Sequence, residues 1–313
     1  MAKKMINTCH IEGLLYEHKL ELREAGPNSK NPGTKFIMGT VDIATDDACT
    51  NVVSVHFSYV TATTSKGATN ATFTTLMNIV DGKYGTVMGN GKENAAKLRI
   101  DSALGLNEFY TDRNGQEELV SAKRNEGGFI HVTESLAEDE ALRNTFKCDI
   151  LITGTRDIEA DEEKNTPEKV IVRGAIFDFR GALLPVEFSA VNPGAMDYFR
   201  GLNASNANPT FTCIWGRQVS ETVIKQIRTE SAFGEDEVRE VKNTRKDFVI
   251  TGAARETYEW DVEGILTAAE VAEAVAARET YLATVRQRQE EYKASKGAAP
   301  APAAAAAKSG FNF

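Results

Sequence analysis

The sequence predicts a mainly β protein with added helices: two small five-stranded barrels in tandem, then a long C-terminal helix and a flexible Ala/Pro-rich tail. Three observations carry this. The stretch 34–60, TKFIMGTVDIATDDACTNVVSVHFSYV, has a shorter counterpart at 168–191, EKVIVRGAIFDFRGALLPVEFSAV. Val55, Phe57, Ser58 and Val60 fall on Val186, Phe188, Ser189 and Val191 without a gap, and Gly39 falls on Gly174. Each copy sits inside the same series of elements, β-β-β-α-β-β. From about residue 267 the chain turns abruptly from strand-like alternation to helical spacing. A repeat of this kind is settled before individual elements are assigned.

Residues 6–23, INTCHIEGLLYEHKLELR, alternate in patches and form a long strand bent at Gly13, since a glycine inside a strand marks a bulge or tight bend. GPNSKNPG at 26–33 is a loop. Strands follow at 35–44 and 52–62, joined by a turn at 45–50 carrying Asp46 and Asp47. In the third strand Val53, Val55, Phe57 and Tyr59 share one face and Ser54, His56 and Ser58 the other. Phe73, Leu76, Met77 and Val80 then recur at helical steps. Short strands are expected at 84–88 and 97–103. This is the element order of an OB-fold, a five-stranded barrel with its helix between strands three and four.

Residues 106–115 read as an extended link ending in an Asn-Gly turn, 119–124 as a strand reaching Lys123-Arg124, and 134–143 as an acidic segment. A strand at 146–158 opens the second series, and 157–168 is a charged, solvated loop. Strands at 169–179 and 183–191 meet at Arg180-Gly181, a helix spans 194–201, and strands four and five lie at 210–217 and 247–255. Between these, 220–239 is expected as an inserted helix with an acidic loop. The division is therefore a first OB-like domain at 1–105, a connecting segment at 106–145, and a second OB-like domain at 146–260. A helix at 265–296 and a tail at 297–313 complete it. Thr267 and Glu270 form a capping box, with Val271, Val275, Leu282 and Val285 following at mainly helical steps. The tail is too poor in core-forming residues to fold, and it ends in two aromatics, Phe311 and Phe313, that suit a docking peptide.

Composition narrows the function. A length of 313 residues fits about two domains. A net charge of −9 argues against indiscriminate binding to duplex DNA or anionic membrane, which rests on neutralising phosphates. No apolar run approaches the roughly 18 residues of a membrane span, and MAKKMINTCHIEG has no signal-peptide core, so a bacterial-type cytoplasmic location is expected. Cys9, Cys49, Cys148 and Cys213 are scattered without a CxxC and read as reduced, mostly buried thiols. No catalytic signature is present. GTVMGNGKE at 85–93 has phosphate-loop glycines spaced one residue too widely, and Lys92 is followed by Glu93 where a hydroxyl would bind Mg²⁺. No enzyme, metal or cofactor is expected.

Single-strand binding needs aromatic platforms for bases and Lys/Arg groups along the phosphates. The polar strand faces offer Phe36, His56, Lys97 and Arg99 in the first barrel. The second offers Arg173, Phe177, Phe179 and Arg180, with Trp215 and Arg217 on its fourth strand. Phe109-Tyr110 and Lys123-Arg124 would extend a groove between the barrels. Core packing is the competing account of each aromatic, and Phe57 and Phe188, in line with valines, are assigned to it.

The runs GTKFIMGTVDIATDDACTNVVSVHFSYV (33–60) and AMDYFRGLNASNANPTFTCIWG (195–216) resemble the OB-fold single-stranded-DNA-binding proteins of tailed phages and prophages. The resemblance spans residues 5 to about 260 and lies in overall style, not in a short signature. It implies a replication or recombination accessory that coats single-stranded DNA without cleaving it, and a C-terminal tail that recruits replication partners. This tail departs from the pattern: it is alanine-rich, contains Lys308 and ends Phe-Asn-Phe, where such tails are usually acidic. The leading expectation is a non-catalytic single-stranded-DNA-binding protein. The alternative is a phage structural or assembly protein that uses the β-domains for protein contacts and the long helix to form a homo-oligomer.

Overall fold

β1 (Asn7–Glu24) is long enough to serve two neighbours, and that is what closes the first barrel. Its first half pairs antiparallel with β4 (Lys97–Arg113), from Cys9 opposite Ser102 to Leu14 opposite Lys97. Its second half pairs with β2 (Lys35–Ala44), from Leu14 opposite Ala44 to Glu24 opposite Lys35. Gly13 sits at the changeover, where a Cβ would fall 2.0 Å from the Ala44 carbonyl oxygen. β2 continues to β3 (Val52–Thr61), and β3 lies parallel to β5 (Gln116–Val132) through Val55–Asn125 and His56–Glu126. The order β1-β2-β3-β5-β4 and back to β1 is a closed OB-type barrel. Ile11, Leu15, Ile37, Val41, Val55, Phe57, Leu98 and Ile100 fill it, and Leu76 and Ile79 of α1 (Ala71–Val80) pack into the same core.

The structure is a computed structural model that describes residues 5–297 except 114, 115, 161–166, 230, 232, 235, 236 and 263. The expected strand at 84–88 is instead a helical turn, α2 (Val87–Asn90), capped by the Thr86 hydroxyl. The strand expected at 97–103 is only the start of β4. Residues 106–132, expected as a link and a short strand, are the distal half of β4 and all of β5, paired from Leu98–Val132 out to Arg113–Gln116. The Asn114-Gly115 turn lies outside the described residues. This hairpin carries polar groups on both faces, which hid its period of two.

The second barrel repeats the first. β6 (Asn144–Ile158), β7 (Lys169–Phe177), β8 (Leu183–Ala190), β10 (Glu237–Ala253) and β9 (Thr210–Thr229) follow in that order, and β9 closes on β6. Again a parallel pairing joins the third and fifth strands, at Ser189–Val249. Phe188 stacks on Phe146 at 5.1 Å, Phe248 meets both edge-on, and α3 (Pro193–Gly201) adds Met196 and Phe199. The segment 220–239, expected as a helix, is a second long hairpin, β9 against β10 from Ser220–Lys246 to Thr229–Glu237. Its β-branched run VSETVIKQIRT favours strand over helix.

The barrels join through one continuous sheet, with β1 antiparallel to β6 from Asn7–Cys148 to Ile11–Asn144. Cys9, Cys148 and Cys213 are buried. α4 (Ala268–Gly297) starts at the expected capping box: Glu270 N–H donates to Thr267 Oγ1 at 3.1 Å, and Thr267 N–H donates to the Glu270 carboxylate at 2.9 Å. Just before it, Tyr258, Trp260, Ile265 and Leu266 lie against Leu151, Phe177, Leu183 and Phe211, forming a second apolar layer outside the barrel.

Candidate nucleic-acid interface

A bulge creates the first platform. In β3, Phe57 pairs with Gly39 and Val60 with Ile37, so Ser58 and Tyr59 together oppose Met38 alone. Two residues against one reverse the alternation and re-aim the side chains that follow. Tyr59, expected on the core face, is therefore 50% exposed, and its ring lies 4.4 Å from that of Phe36.

Tyr59 borders a cleft of about 650 Å³ bounded by the first barrel, the β7–β8 turn and α4. The turn holds its shape through Asp178, whose Oδ1 accepts the N–H groups of Arg180 and Ala182, both at 2.8 Å, and Gly181 takes a φ of 83°. It presents Phe179, 82% exposed, with the Arg180 guanidinium 4.9 Å from the ring centre. Tyr281 of α4 forms the third side and is also exposed. Arg278 lines the cleft too, but its charge is spent on Glu108 at 2.6 Å. Arg180 makes no ion pair among the described residues and is the available cation.

The other expected residues have different fates. Phe177 is 3% exposed and belongs to the core. β7 is covered on both sides, by its own barrel and by the 258–266 layer, so sharing a face with Arg173 did not expose it. Lys123 is turned into the protein. Its ammonium donates to the Glu187 carbonyl and lies 4.8 Å from the ring centre of Phe248, spanning from the first barrel to the core of the second. Burial pushes its pKa below the ordinary lysine value. Tyr110 is covered by α4: its N–H donates to Gln289 Oε1 at 2.7 Å, its carbonyl accepts from Gln289 Nε2, and the Arg286 guanidinium sits 4.7 Å from its ring centre. Phe109 beside it is 42% exposed.

Arg124 donates to Glu126, and His56 is held below the usual imidazole pKa by burial and then by the Arg124 charge, so near neutral pH it is an uncharged group. Arg99 pairs with the buried Glu12 at 3.1 Å, and Lys97 donates to the Glu134 carbonyl at 3.0 Å. Arg173 pairs with Glu187 across the strands at 2.9 Å. Trp215 and Arg217 are exposed on β9, with the indole lying over Gly252. None of these borders the cleft. Phe311 and Phe313 lie outside the described residues. The cleft thus gathers Phe179 and Arg180 from the expected set and adds Tyr59 and Tyr281, while Phe36 lies against the Tyr59 ring without lining the cleft. No sequence signal marks Tyr59 short of the bulge; Tyr281 is an aromatic within the helix that the capping box announces, which is a usable one.

Two closed OB-type barrels with exposed aromatics at a shared cleft define a tandem OB-fold protein. The chain belongs to the YorF family, whose model matches residues 5–288. No curated protein matches it. Among solved structures it is similar to the wild-type single-stranded DNA binding protein from Thermus aquaticus, with 11% identity, 82% of this chain and 95% of that chain covered, and a TM-score of 0.44. A deletion mutant of the same protein matches with 10% identity, 82% and 97% coverage, and a TM-score of 0.45. A replication protein A heterotrimer bound to ssDNA gives 10% identity, 90% and 70% coverage, and a TM-score of 0.19.

Proposed function

We propose that this protein binds single-stranded DNA without cleaving it, with the strand entering the cleft between the barrels. The observation that carries this reading is the convergence of Tyr59, Phe179 and Tyr281, from three separate elements, on one cleft with Arg180 at hand. Exposed aromatics at a common groove suit unstacked bases, each worth about 1–3 kcal/mol. A few platforms then suffice despite the net charge of −9. The finer role is coating of single strands during phage DNA replication or recombination in the cytoplasm of a bacterial host. The Phe311–Phe313 tip would dock replication partners. The sequence resemblance to phage proteins supports that role.

The test is anisotropy of a labelled oligo-dT at about 50 mM and about 200 mM salt. Binding should be stronger to single strands than to duplex. With Arg180 as the available cation, log K should fall only weakly against log salt, with a slope of about −0.7, the value per phosphate on a single strand. Tyr59→Ala with Phe179→Ala should abolish most of the affinity. No binding at the lower salt, or a preference for duplex, defeats the proposal.

A further inference from the structure

We propose that α4 and the distal half of β4 carry a second stretch of the single-strand path, a groove in which Phe109, Tyr281 and Tyr292 take unstacked bases and Arg288 takes a phosphate. This rests on the single-strand reading of the cleft and extends it. The groove encloses about 540 Å³ between Glu108–Tyr110 and the face of α4 bearing Tyr281, Arg288 and Tyr292. Phe109, Tyr281 and Tyr292 are 42%, 45% and 59% exposed. Residues 281, 285, 288 and 292 follow at steps of four, three and four, so they form one stripe about 16 Å long at 1.5 Å per residue. Tyr281 and Glu108 border both the cleft and the groove, so the two are continuous.

Charge favours a polyanion here although the hairpin itself is acidic. Glu108 is neutralised by Arg278 at 2.6 Å, Asp112 by Lys293 at 3.1 Å, and Glu117 by Arg286 at 3.1 Å. Arg288 has no carboxylate partner among the described residues and faces the groove. Glu290 and Glu291 lie outside it. The same pairs fix the walls. Gln289 satisfies both backbone groups of Tyr110, an edge-strand position that would otherwise be open, so α4 is seated on the hairpin before any ligand arrives. A stack of bases therefore meets a preformed groove, whose cost of ordering is already met.

The test uses the full chain and oligo-dT of about 10 and about 30 nucleotides, which bracket the site sizes of one and of several OB-folds. Phe109→Ala with Tyr292→Ala, and separately Arg288→Glu, should weaken binding of the longer oligonucleotide about tenfold. Binding of the shorter one should change less than about twofold when Arg288 alone is replaced. Tyr59→Ala should weaken both lengths. Photocrosslinking of a bromouridine oligonucleotide to wild type should label residues within 285–292, beyond the cleft, a readout that needs no variant. If wild type binds both lengths, the groove variants bind the longer one unchanged and no crosslink falls on 285–292, this inference fails and the cleft reading stands. If those variants instead lose capture of a protein while DNA binding is intact, the groove is a protein site and the inference is equally overturned. No binding by wild type defeats both.

Discussion

Asn125 of the first barrel and Gln218 of the second face each other amide to amide: Asn125 Nδ2 donates to Gln218 Oε1 at 2.8 Å, and Gln218 Nε2 donates to Asn125 Oδ1 at 3.0 Å. Both side chains are buried, 4% and 5% exposed. Around them Asn51 and Asn144 donate to the Gln218 backbone carbonyl, and Asn51 Oδ1 accepts the Ser220 N–H at 2.6 Å. Asn125 Nδ2 also donates to the Ser54 carbonyl of its own barrel at 3.1 Å, so the pair sets a definite angle between the barrels: rotation would leave the Gln218 amide without its partner. Gln218→Leu should cost about 1–3 kcal/mol, the penalty for a buried polar group left without its partner. Asn125→Leu with Gln218→Leu should cost less than the two single changes summed. Urea unfolding of the four proteins measures this, and additive losses would show that the pair does not act as a unit.

The Glu108–Arg278 pair fastens α4 to the first barrel. Their side chains are 1% and 13% exposed, and Arg278 also donates to the Leu183 carbonyl of the second barrel. Breaking a buried pair from one side costs about 3–5 kcal/mol, since the remaining charge stays in a poor solvent. Glu108→Gln should therefore loosen α4 locally: amide exchange within 268–297 should accelerate while the β-strands of both barrels keep their protection. Unchanged exchange in the helix would mean the pair is not what holds it.

Asp247 is the carboxylate with a pH signature. Burial pushes its pKa up, but hydrogen bonds from Lys169 at 2.7 Å and from the Ser189 hydroxyl, with the charges of Lys169 and Lys123, outweigh that and leave it below the ordinary aspartate value. A depressed carboxylate contributes stability that is complete above the unfolded value of about 3.9 and is lost as pH falls through the lower folded value. Asp247→Asn should thus be less stable than wild type by a constant amount from pH 7 to about 5, and the difference should shrink below about pH 4. Urea midpoints at three pH values across that span check it. A gap that widens with acid would reverse the sign argued here.

What could be read from the sequence follows physical locality. Val55, Phe57, Val186 and Phe188 were legible because strand alternation is set by immediate neighbours, and all four are buried. The helix at 267–297 was legible because its cap is local. Phe177 was not, because the layer that buries it comes from Tyr258 to Leu266, some 80 residues on. Tyr59 was not, because one extra residue in β3 inverts its face. The β4–β5 hairpin was misread because its outer half extends past the core, where no buried face enforces alternation. The cations fared worst. Lys123, Arg99, Arg124 and Arg173 each found a partner inside the protein, and partner choice is a property of the folded surface alone.

The repeated glycines give the sharpest test of the duplicated architecture. Gly39 lies in β2 at the bulge, with φ of 129°, and a Cβ there would sit 1.9 Å from the Lys19 carbonyl oxygen of β1. Gly174 holds the matching place in β7, where a Cβ would sit 2.4 Å from the Leu151 carbonyl oxygen of β6. In each barrel the first strand thus crosses the second at backbone contact, which no side chain can share. Alanine at either position must push the strands apart, and at Gly39 it must also adopt a backbone conformation costing about 1–3 kcal/mol by itself. Gly39→Ala should therefore destabilise by about 3 kcal/mol or more, at the upper end for single substitutions, and Gly174→Ala by somewhat less. Hydrogen exchange should localise the first loss to β1–β5 and the second to β6–β10. If either variant unfolds within about 0.5 kcal/mol of wild type, the ordinary range for neutral surface changes, the close crossing it probes is absent from the protein in solution.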